Sequence, residues 1–404
     1  MNTIPAGDLK SEESSYQDWD RGGLPGWTYH NEELTELEKE VLFRRHWQVA
    51  CHVSDIPESG DYVTFDIVGE RAVLMRGKDG QIRAFHNLCR HRGSRVLCES
   101  KGNCKRAIVC PFHGWSYGLD GALLGAASPE TLPKLDSIEH GLKPIEFEVW
   151  MGFVFVRFLP GDQPPVAELL ARHAEEIAHY RSETMVPAGS NYWSHDMDVN
   201  WKSVRDVDNE GYHVRMAHPE LQELYGGNYS DEPLINGSCR SYAEFTDTPG
   251  KIWSVQKYKK ILPKVAHLPE GNQRAWLYIG IYPNMVLSFY PCTVSFYQEH
   301  PISAGRTHQR GAIYRHADES RGMRLARYLS TRIDNETTDE DTQLIEWSCE
   351  AMNSSAFDGI VLSDLEYNVR CYHDAFRRDL PVMNLDQPPA LNTVKAVNAQ
   401  MREI

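Results

Sequence analysis

The chain has 404 residues, a formal net charge of −15 and nine cysteines. That length allows two domains and a large core. The acidic balance argues against nucleic acid as a partner, because nucleic-acid binding needs a basic face. An odd number of cysteines without a secreted-type framework indicates reduced thiols. The N-terminus is polar and no apolar run reaches about 18 residues, so we expect a cytoplasmic protein that contacts no membrane.

The first part of the chain predicts an arm, a helix and a small all-β domain. Residues 1–26 are polar and glycine-rich, and the apolar spacing over 33–47 predicts a helix. We expect residues 1–44 to pack on a later catalytic domain. Residues 45–158 are expected to form the β domain. Its predicted strands lie at 62–68, 72–76, 82–85 and 152–158, with turns at 78–80 and 119–121.

The rest of the chain, 159–404, predicts a second domain of the α+β class. It opens with a proline-rich linker at 159–165, followed by an amphipathic helix at 166–183. Antiparallel strands are predicted at 276–283, 286–290, 294–300 and 307–315, and helices at 319–331, 336–355 and 363–376. A run of strands followed by a run of helices is typical of an α+β domain with an antiparallel sheet.

Two mixed pairs of metal-ligand residues lie inside the β domain. Cys89 and His91 form a Cys-x-His pair, and Cys110 and His113 form a Cys-x-x-His pair. Two thiolates suit one iron of a two-iron cluster and two imidazoles suit the other, which raises the reduction potential. A structural zinc site is the alternative, since two Cys and two His also bind zinc. Zinc sites, however, usually pair Cys with Cys and His with His.

The stretches 89–93 (Cys-Arg-His-Arg-Gly) and 110–117 (Cys-Pro-Phe-His-Gly-Trp-Ser-Tyr) resemble the Rieske motif of ring-hydroxylating oxygenases. The likeness begins at 43–47 and runs through 84–87. It implies a small all-β Rieske domain and an α+β helix-grip catalytic domain. It also implies a 2Fe-2S cluster whose four ligands are Cys89, His91, Cys110 and His113.

A second group of acids and histidines follows an Asn-Trp-Lys triplet at 200–202. Asp206, Glu210 and His213 fall at i, i+4 and i+7, which predicts one helical stripe. His218 lies five residues further on, and Pro219 is expected to end the helix. Two His and one carboxylate on one face of a metal suit non-haem Fe(II) with open positions for O2. The alternative is a solvated helix face.

This second stretch resembles the mononuclear iron motif of Rieske oxygenase α subunits. The family often has Asn directly after the first acid, whereas this chain has Val207, so we expect a different polar neighbour of the iron. The family takes its third ligand from a C-terminal helix that opens with an acid pair. The resemblance implies Asp341 for that role, with Asp339 as the near alternative. An acidic helix N-terminus would explain the same residues without a metal.

Together the two motifs imply a terminal oxygenase that uses O2. No dinucleotide-type phosphate loop is evident, so NAD(P)H and flavin are expected on a separate reductase, with or without a ferredoxin. Family members work as trimers, in which a carboxylate bonds a cluster His of one subunit and an iron His of the next. By its position three residues before His213, that acid is Glu210. It would bond His113 on the cluster side and His213 on the iron side. Asp206 and Glu210 are the predicted catalytic carboxylates, and a salt bridge within the helix is the alternative for Glu210.

Two other classes are weighed against an oxygenase: a plain Rieske electron carrier, which would need no second domain, and a zinc-stabilised binding module.

The small organic substrate is harder to predict. Aromatic residues crowd one β stretch, namely Trp276, Tyr278, Tyr282, Phe289, Tyr290, Phe296 and Tyr297. Most such residues are core, but some could line a pocket. We expect hydroxylation of an aromatic ring. Oxidation or N-demethylation of a quaternary ammonium compound, of the betaine, choline or carnitine type, is the alternative.

Overall fold

The computed structural model describes residues 19–403, which form two compact units. One unit is made of residues 43–168, and the other of residues 19–42 together with 169–403. Most of the arm predicted at 1–26 therefore lies outside the described residues. None of the helices within 19–403 combines the length and the apolar character that a bilayer crossing requires.

The unit of residues 43–168 is built almost wholly from short antiparallel strands. They are β1 (Gln48–His52), β2 (Asp61–Ile67), β3 (Glu70–Arg76), β4 (Ile82–His86), β5 (Lys101–Asn103), β6 (Ile108–Val109), β7 (Ser116–Tyr117), β8 (Leu123–Gly125), β9 (Glu146–Trp150) and β10 (Phe153–Arg157). Three sheets result, ordered β1-β10-β9, β4-β3-β2-β5 and β6-β7-β8. A buried cluster joins Phe85 of the second sheet to Ile108 of the third and contains Cys89 and Cys110.

The larger unit is organised around a seven-stranded antiparallel sheet. Its strands are β11 (Val186–Met197), β12 (Tyr229–Asp231), β13 (Ser238–Glu244), β14 (Ala275–Ile281), β15 (Met285–Tyr290), β16 (Thr293–Ser303) and β17 (Arg306–Arg315). Their order is β11-β17-β16-β15-β14-β13-β12. The central strand β15 is buried along its whole length. This sheet, with the helices that follow it, confirms the predicted α+β fold class.

Helices lie before, between and after the strands of this sheet in the chain, and Asp341 and the residues next to His213 and His218 lie on them. The α-helices of the described chain are α1 (Glu32–Glu38), α2 (Val166–Leu169), α3 (Ala174–Ala178), α4 (Trp201–Asp208), α5 (Val214–Ala217), α6 (Pro219–Leu224), α7 (Trp253–Ile261), α8 (Arg321–Ala351), α9 (Tyr367–Asp379) and α10 (Val394–Arg402). The predicted helix at 33–47 ends early, because a π-helical turn, Lys39–Phe43, follows α1.

Two helix predictions are wrong in their extent. The helix expected at 166–183 is broken into α2, α3 and short 3-10 turns. The helices expected at 319–331 and 336–355 are one continuous helix, α8. Helix α8 is buried at Met323, Ile333, Ile345 and Cys349, so its inward-facing residues continue across the gap between the two predicted segments.

Candidate active site

Two backbone turns of matching geometry present the cysteines and histidines of the smaller unit. Cys89 N–H donates to Ser94 O and Cys89 O accepts from Gly93 N–H, at 2.7 and 2.9 Å. In the second turn Cys110 bonds Trp115 O and Gly114 N–H in the same way, at 2.8 and 3.1 Å. Both glycines have a positive φ, +74° and +70°, and a Cβ at either would meet nothing within 4 Å. Glycine is therefore favoured there by the backbone angle and not by space.

The thiols of this site are buried and the imidazoles are more accessible. Cys89 and Cys110 are only 4% and 2% exposed. Burial raises the pKa of the Cys89 thiol. The rings of His91 and His113 lie 4.7 Å apart, and His91 stacks on Trp115 at 5.2 Å. Two adjacent thiols on the inside and two adjacent imidazoles on the outside fit a cluster whose irons have different ligands.

The Tyr117 hydroxyl lies beside the first of these thiols. It accepts a hydrogen bond from Arg90 N–H at 3.0 Å and lies 3.2 Å from Cys89 Sγ. Because the phenol oxygen already accepts from the backbone, its own proton is available to the sulfur. The motif prediction did not assign this tyrosine a role, although it is the last residue of the stretch 110–117.

In the larger unit, the Asn-Trp-Lys triplet fixes the start of helix α4. Asn200 caps the helix by accepting from Lys202 N–H at 3.0 Å. Lys202 pairs with Glu38 at 2.6 Å, with both side chains fully buried, and Trp201 Nε1 donates to the same carboxylate at 2.7 Å. These residues anchor α4 against α1. Glu38 is a partner that the sequence reasoning missed.

Helix α4 ends before the first iron histidine, so the predicted helical stripe is wrong. The helix stops at Asp208, and the short helices α5 and α6 follow on either side of His218. Gly211 lies in the break, where a Cβ would come within 2.2 Å of the Tyr229 ring. Helix α5 ends at Ala217, just before His218 and Pro219 as expected, and Pro219 itself begins α6.

The break brings His213, His218 and Asp341 together although they are far apart in sequence. One ligand atom from each lies within 4.8 Å of the others. The two Nε2 atoms are 3.0 Å apart, and Asp341 Oδ1 lies 2.9 Å from that of His218 and 3.6 Å from that of His213. Helix α8 delivers Asp341 because Ile345 and Cys349, on the same face, pack against α4.

Carboxylates hold the other nitrogen of each ring. Glu210 contacts His213 Nδ1, and Glu340 lies 2.7 Å from His218 Nδ1. Burial opposes protonation of His213, but the hydrogen bond and charge of Glu210 leave its pKa raised. A carboxylate can only accept, so each Nδ1 carries a proton, and in the neutral imidazole each Nε2 then presents a lone pair on the side of Asp341. Among the described residues, Asp341 Oδ1 is buried and accepts no hydrogen bond.

Two imidazole nitrogens and one carboxylate oxygen that face one another at these distances could hold one metal ion. Two neutral imidazoles and one carboxylate are the ligand set of mononuclear non-haem iron, and imidazoles oriented by carboxylates are typical of metal ligands. The residues present therefore fit Fe(II). Glu340 was recognised only as half of the acid pair, and its contact with His218 was not predicted.

The remaining predicted residues lie elsewhere. The Asp206 carboxylate accepts from Tyr29 Oη at 2.6 Å and lies 2.9 Å from His373 Nε2, so it does not join the His213–His218–Asp341 group. Asp206 therefore does not share one helical stripe with His213, and its catalytic role stays a prediction. Asp339 is exposed on α8 and does not join the group either. His373 was expected to be a structural histidine without a metal role, and it is buried and also accepts from Leu24 N–H.

Several of the predicted aromatic side chains contact one another on the large sheet. Tyr290 stacks on Trp276 at 4.1 Å and is met edge-on by Tyr278 at 5.7 Å. Tyr297 Oη donates to Asp208 at 2.9 Å. Trp276 and Tyr290 are buried, whereas Tyr278 and Tyr297 keep some accessible surface. Only part of the predicted aromatic set can therefore reach a ligand.

The two sites together define a class: an iron oxygenase in which a Rieske cluster supplies electrons to a mononuclear iron. Comparison with known families agrees. Residues 46–136 match the Rieske 2Fe-2S domain, and residues 187–381 match the ring hydroxylating alpha subunit (catalytic domain). The chain belongs to the Rieske non-haem iron oxygenases, as an α subunit.

Individual relatives extend the likeness over most of the chain. The carnitine monooxygenase oxygenase subunit of Escherichia coli (strain K12) is 29% identical over 80% of this chain and 78% of its own length. The glycine betaine monooxygenase oxygenase subunit of Chromohalobacter salexigens is 29% identical over 92% and 89%. A solved quaternary ammonium Rieske monooxygenase shares the fold, with a TM-score of 0.75 and 23% identity over 89% and 95% of the two chains.

Membership confirms the predicted family, enzyme class and cofactors. The chain is the terminal oxygenase component of a Rieske system, and it acts on a small organic substrate with O2. Its metal centres are a Rieske 2Fe-2S cluster and a non-haem iron, and NAD(P)H and flavin belong to a separate reductase. A plain electron carrier and a zinc module are thereby excluded.

Proposed function

We propose that this oxygenase oxidises a quaternary ammonium compound at an N-methyl carbon or a neighbouring C–H bond. The observation that carries the proposal is its likeness, along most of both chains, to oxygenase subunits that act on carnitine and on glycine betaine. Ring hydroxylation, which the sequence favoured, has less support than the quaternary ammonium alternative.

The partly accessible aromatic residues of the large sheet, Tyr278 and Tyr297, are compatible with such a substrate. A quaternary ammonium cation is attracted to the faces of aromatic rings, most strongly where water is excluded. Tyr278 and Tyr297 offer partly accessible rings within the larger unit. An aromatic substrate could stack on the same rings, so these two tyrosines alone do not distinguish oxidation of a quaternary ammonium compound from ring hydroxylation.

The reaction needs two electrons and two protons for each O2. One oxygen atom enters a C–H bond and the other leaves as water. When the bond belongs to an N-methyl group, the hydroxymethyl product loses formaldehyde as its C–N bond breaks. Bound Fe(II) supplies the activation of O2 in this chemistry. Glu210 and Glu340 keep the Nδ1 protons of His213 and His218 in place and so keep both Nε2 atoms free for the metal.

We also propose that the active form is a homotrimer in which electrons pass between subunits. Glu210 would accept a second hydrogen bond, from the partner subunit's His113, and so join the two metal centres. Glu210 is only 9% exposed in the single chain and already bonds His213. A related solved structure is described as giving insight into inter-subunit electron transfer, which supports the arrangement.

A paired incubation tests the substrate class. The purified oxygenase, a surrogate Rieske reductase, NADH and O2 are combined with glycine betaine, choline or carnitine, and separately with aromatic carboxylates. We expect aldehyde or hydroxylated amine from the cations and no oxygen-18 incorporation into the aromatic acids. Turnover of aromatic acids alone would overturn the proposal.

A further inference from the structure

A half-buried carboxylate without a described cationic partner lies on helix α8. Asp334 accepts a hydrogen bond from Tyr290 Oη at 3.0 Å, and among residues 19–403 no Lys, Arg or His pairs with it. Burial raises its pKa to about 7. A carboxylate in such a place costs free energy unless it takes up a proton or a cation joins it.

Aromatic packing fixes this carboxylate in one orientation. Tyr290 lies flat against Trp276, with the rings at 9° to each other. The Tyr278 hydroxyl is 2.8 Å from the Tyr290 hydroxyl. Because Tyr290 gives its proton to Asp334, Tyr278 donates to Tyr290, and the three groups form a directed chain. This leaves the second oxygen of Asp334 without a described partner.

Asp334 and Tyr278 are both only half-buried, so each side chain keeps accessible surface that a ligand could contact. Tyr290, which contacts Tyr278, and Trp276, which stacks on Tyr290, are both buried.

Asp334 lies on the same helix as Asp341 of the metal-ligand group, and positions seven residues apart share one face of a helix. Asp334 precedes Asp341 by seven residues, which is two turns of one helix and a rise of about 10.5 Å. A small cation could rest on Asp334 and still present a carbon atom to the ligand group.

We infer that Asp334 is the counter-ion of the substrate's ammonium group and determines the preference for cationic substrates. The inference rests on the proposed function and sharpens it, since rings alone would accept a neutral group of the same shape. The positive nitrogen would lie between the Asp334 carboxylate and the face of Tyr278. Tyr290 acts as a positioning residue through its hydrogen bond.

A binding comparison separates charge from shape. Choline and 3,3-dimethylbutan-1-ol have nearly the same outline, but only choline carries a charge. Their dissociation constants are measured by calorimetry on the metal-loaded protein, without reductase or turnover. The variants are Asp334→Asn, which keeps the shape of the side chain, and Asp339→Asn, which removes an exposed charge from the same helix. Should Asp334→Asn fail to fold, Asp334→Ser gives the same comparison.

We expect the wild type and Asp339→Asn to prefer choline, and Asp334→Asn to lose about 10- to 100-fold in choline affinity while still binding the neutral alcohol. An unchanged preference for choline in Asp334→Asn would overturn the role of Asp334 and leave the substrate class standing. A wild type that binds aromatic carboxylates and neither choline, glycine betaine nor carnitine would overturn the proposed function, and this inference with it.

Discussion

In the smaller unit, four prospective ligands come from two short turns whose backbone hydrogen bonds repeat each other. In the larger unit, three ligands come from two separate stretches of chain, and carboxylates orient their side chains. The cysteine turns depend on Gly93 and Gly114, which supply positive φ angles. The His213–His218–Asp341 group depends on Glu210 and Glu340, which supply hydrogen bonds.

This difference has a physical consequence. A site built from backbone turns is organised by local sequence, so it should persist when distant side chains change. A site whose histidines are oriented by separate carboxylates should respond to changes in residues that never touch the metal. Each site should therefore lose its metal independently of the other. The iron affinity of the second site should fall by a separate amount for each orienting carboxylate that is changed.

The largest expected effect is the loss of one metal centre without the other. Cys110→Ala should abolish the visible spectrum and labile sulfide and keep the mononuclear iron. Asp341→Ala should do the reverse, because it removes the only carboxylate of that ligand group. The wild type should hold about three irons and two sulfides per chain. Iron and sulfide analysis checks both variants.

Asp339→Asn is the control for the second variant, since Asp339 is an exposed acid of the same helix. It should keep a full complement of iron. If Asp339→Asn loses the mononuclear iron and Asp341→Ala keeps it, the assignment of the third ligand is wrong.

Glu210→Gln should separate metal binding from turnover. The amide can still accept from His213 Nδ1, so the iron should remain, but the side chain loses its charge and its second full acceptor. We expect both metal centres by analysis and a fall in turnover of at least about 100-fold, since electrons no longer reach the iron. Reduction of the cluster by dithionite, followed by its reoxidation with substrate and O2, locates the block. Rapid reoxidation would contradict this role.

These residues differ in how far they could be predicted. The four predicted cluster ligands lie in two contiguous motifs, so their spacing alone is enough to predict a shared site. His213, His218 and Asp341 needed the likeness to a family, because no local pattern shows that α8 meets the turn after α4. Glu340 was beyond prediction as a partner of His218, since 122 residues separate the two.

The wrong prediction of one helical stripe from Asp206 to His213 has the same origin. Spacing of i, i+4 and i+7 holds only while a helix continues, and this helix ends at Asp208. Contact between Gly211 and Tyr229 accompanies the break, and Tyr229 comes from another strand. Such a tertiary contact overrides the periodic pattern of the sequence. The residues around Gly211 and Tyr229 do not predict the contact.

Glu340→Gln should weaken iron binding without abolishing it. The amide loses the charge that makes His218 a better ligand, so we expect roughly 10- to 100-fold lower Fe(II) affinity, the usual cost of losing such a partner. Competition with a chelator of known affinity measures it, with Asp339→Asn as the matched charge change on α8. Equal affinities in Glu340→Gln and wild type would show that the His218 contact is structural only.

The smallest expected effect concerns the cluster and tests whether side chains matter there at all. The Tyr117 hydroxyl accepts a hydrogen bond from Arg90 N–H and lies 3.2 Å from Cys89 Sγ, to which it can donate when that sulfur is a thiolate ligand of the cluster. Such a bond stabilises the more negative, reduced cluster more than the oxidised one. If Tyr117→Phe removes a difference of about 1 kcal/mol, the potential should fall by roughly 40 mV for this one-electron couple.

Spectroelectrochemical titration of the Tyr117→Phe variant measures that shift, while its iron and sulfide content should match the wild type. Tyr62→Phe is the control, because Tyr62 belongs to the same buried cluster but no hydrogen bond to a ligand sulfur is described for it. Its potential should stay at the wild-type value. An equal fall in both variants would mean that core packing sets the potential. No fall in Tyr117→Phe would leave the backbone turns as the main organisers of the cluster site.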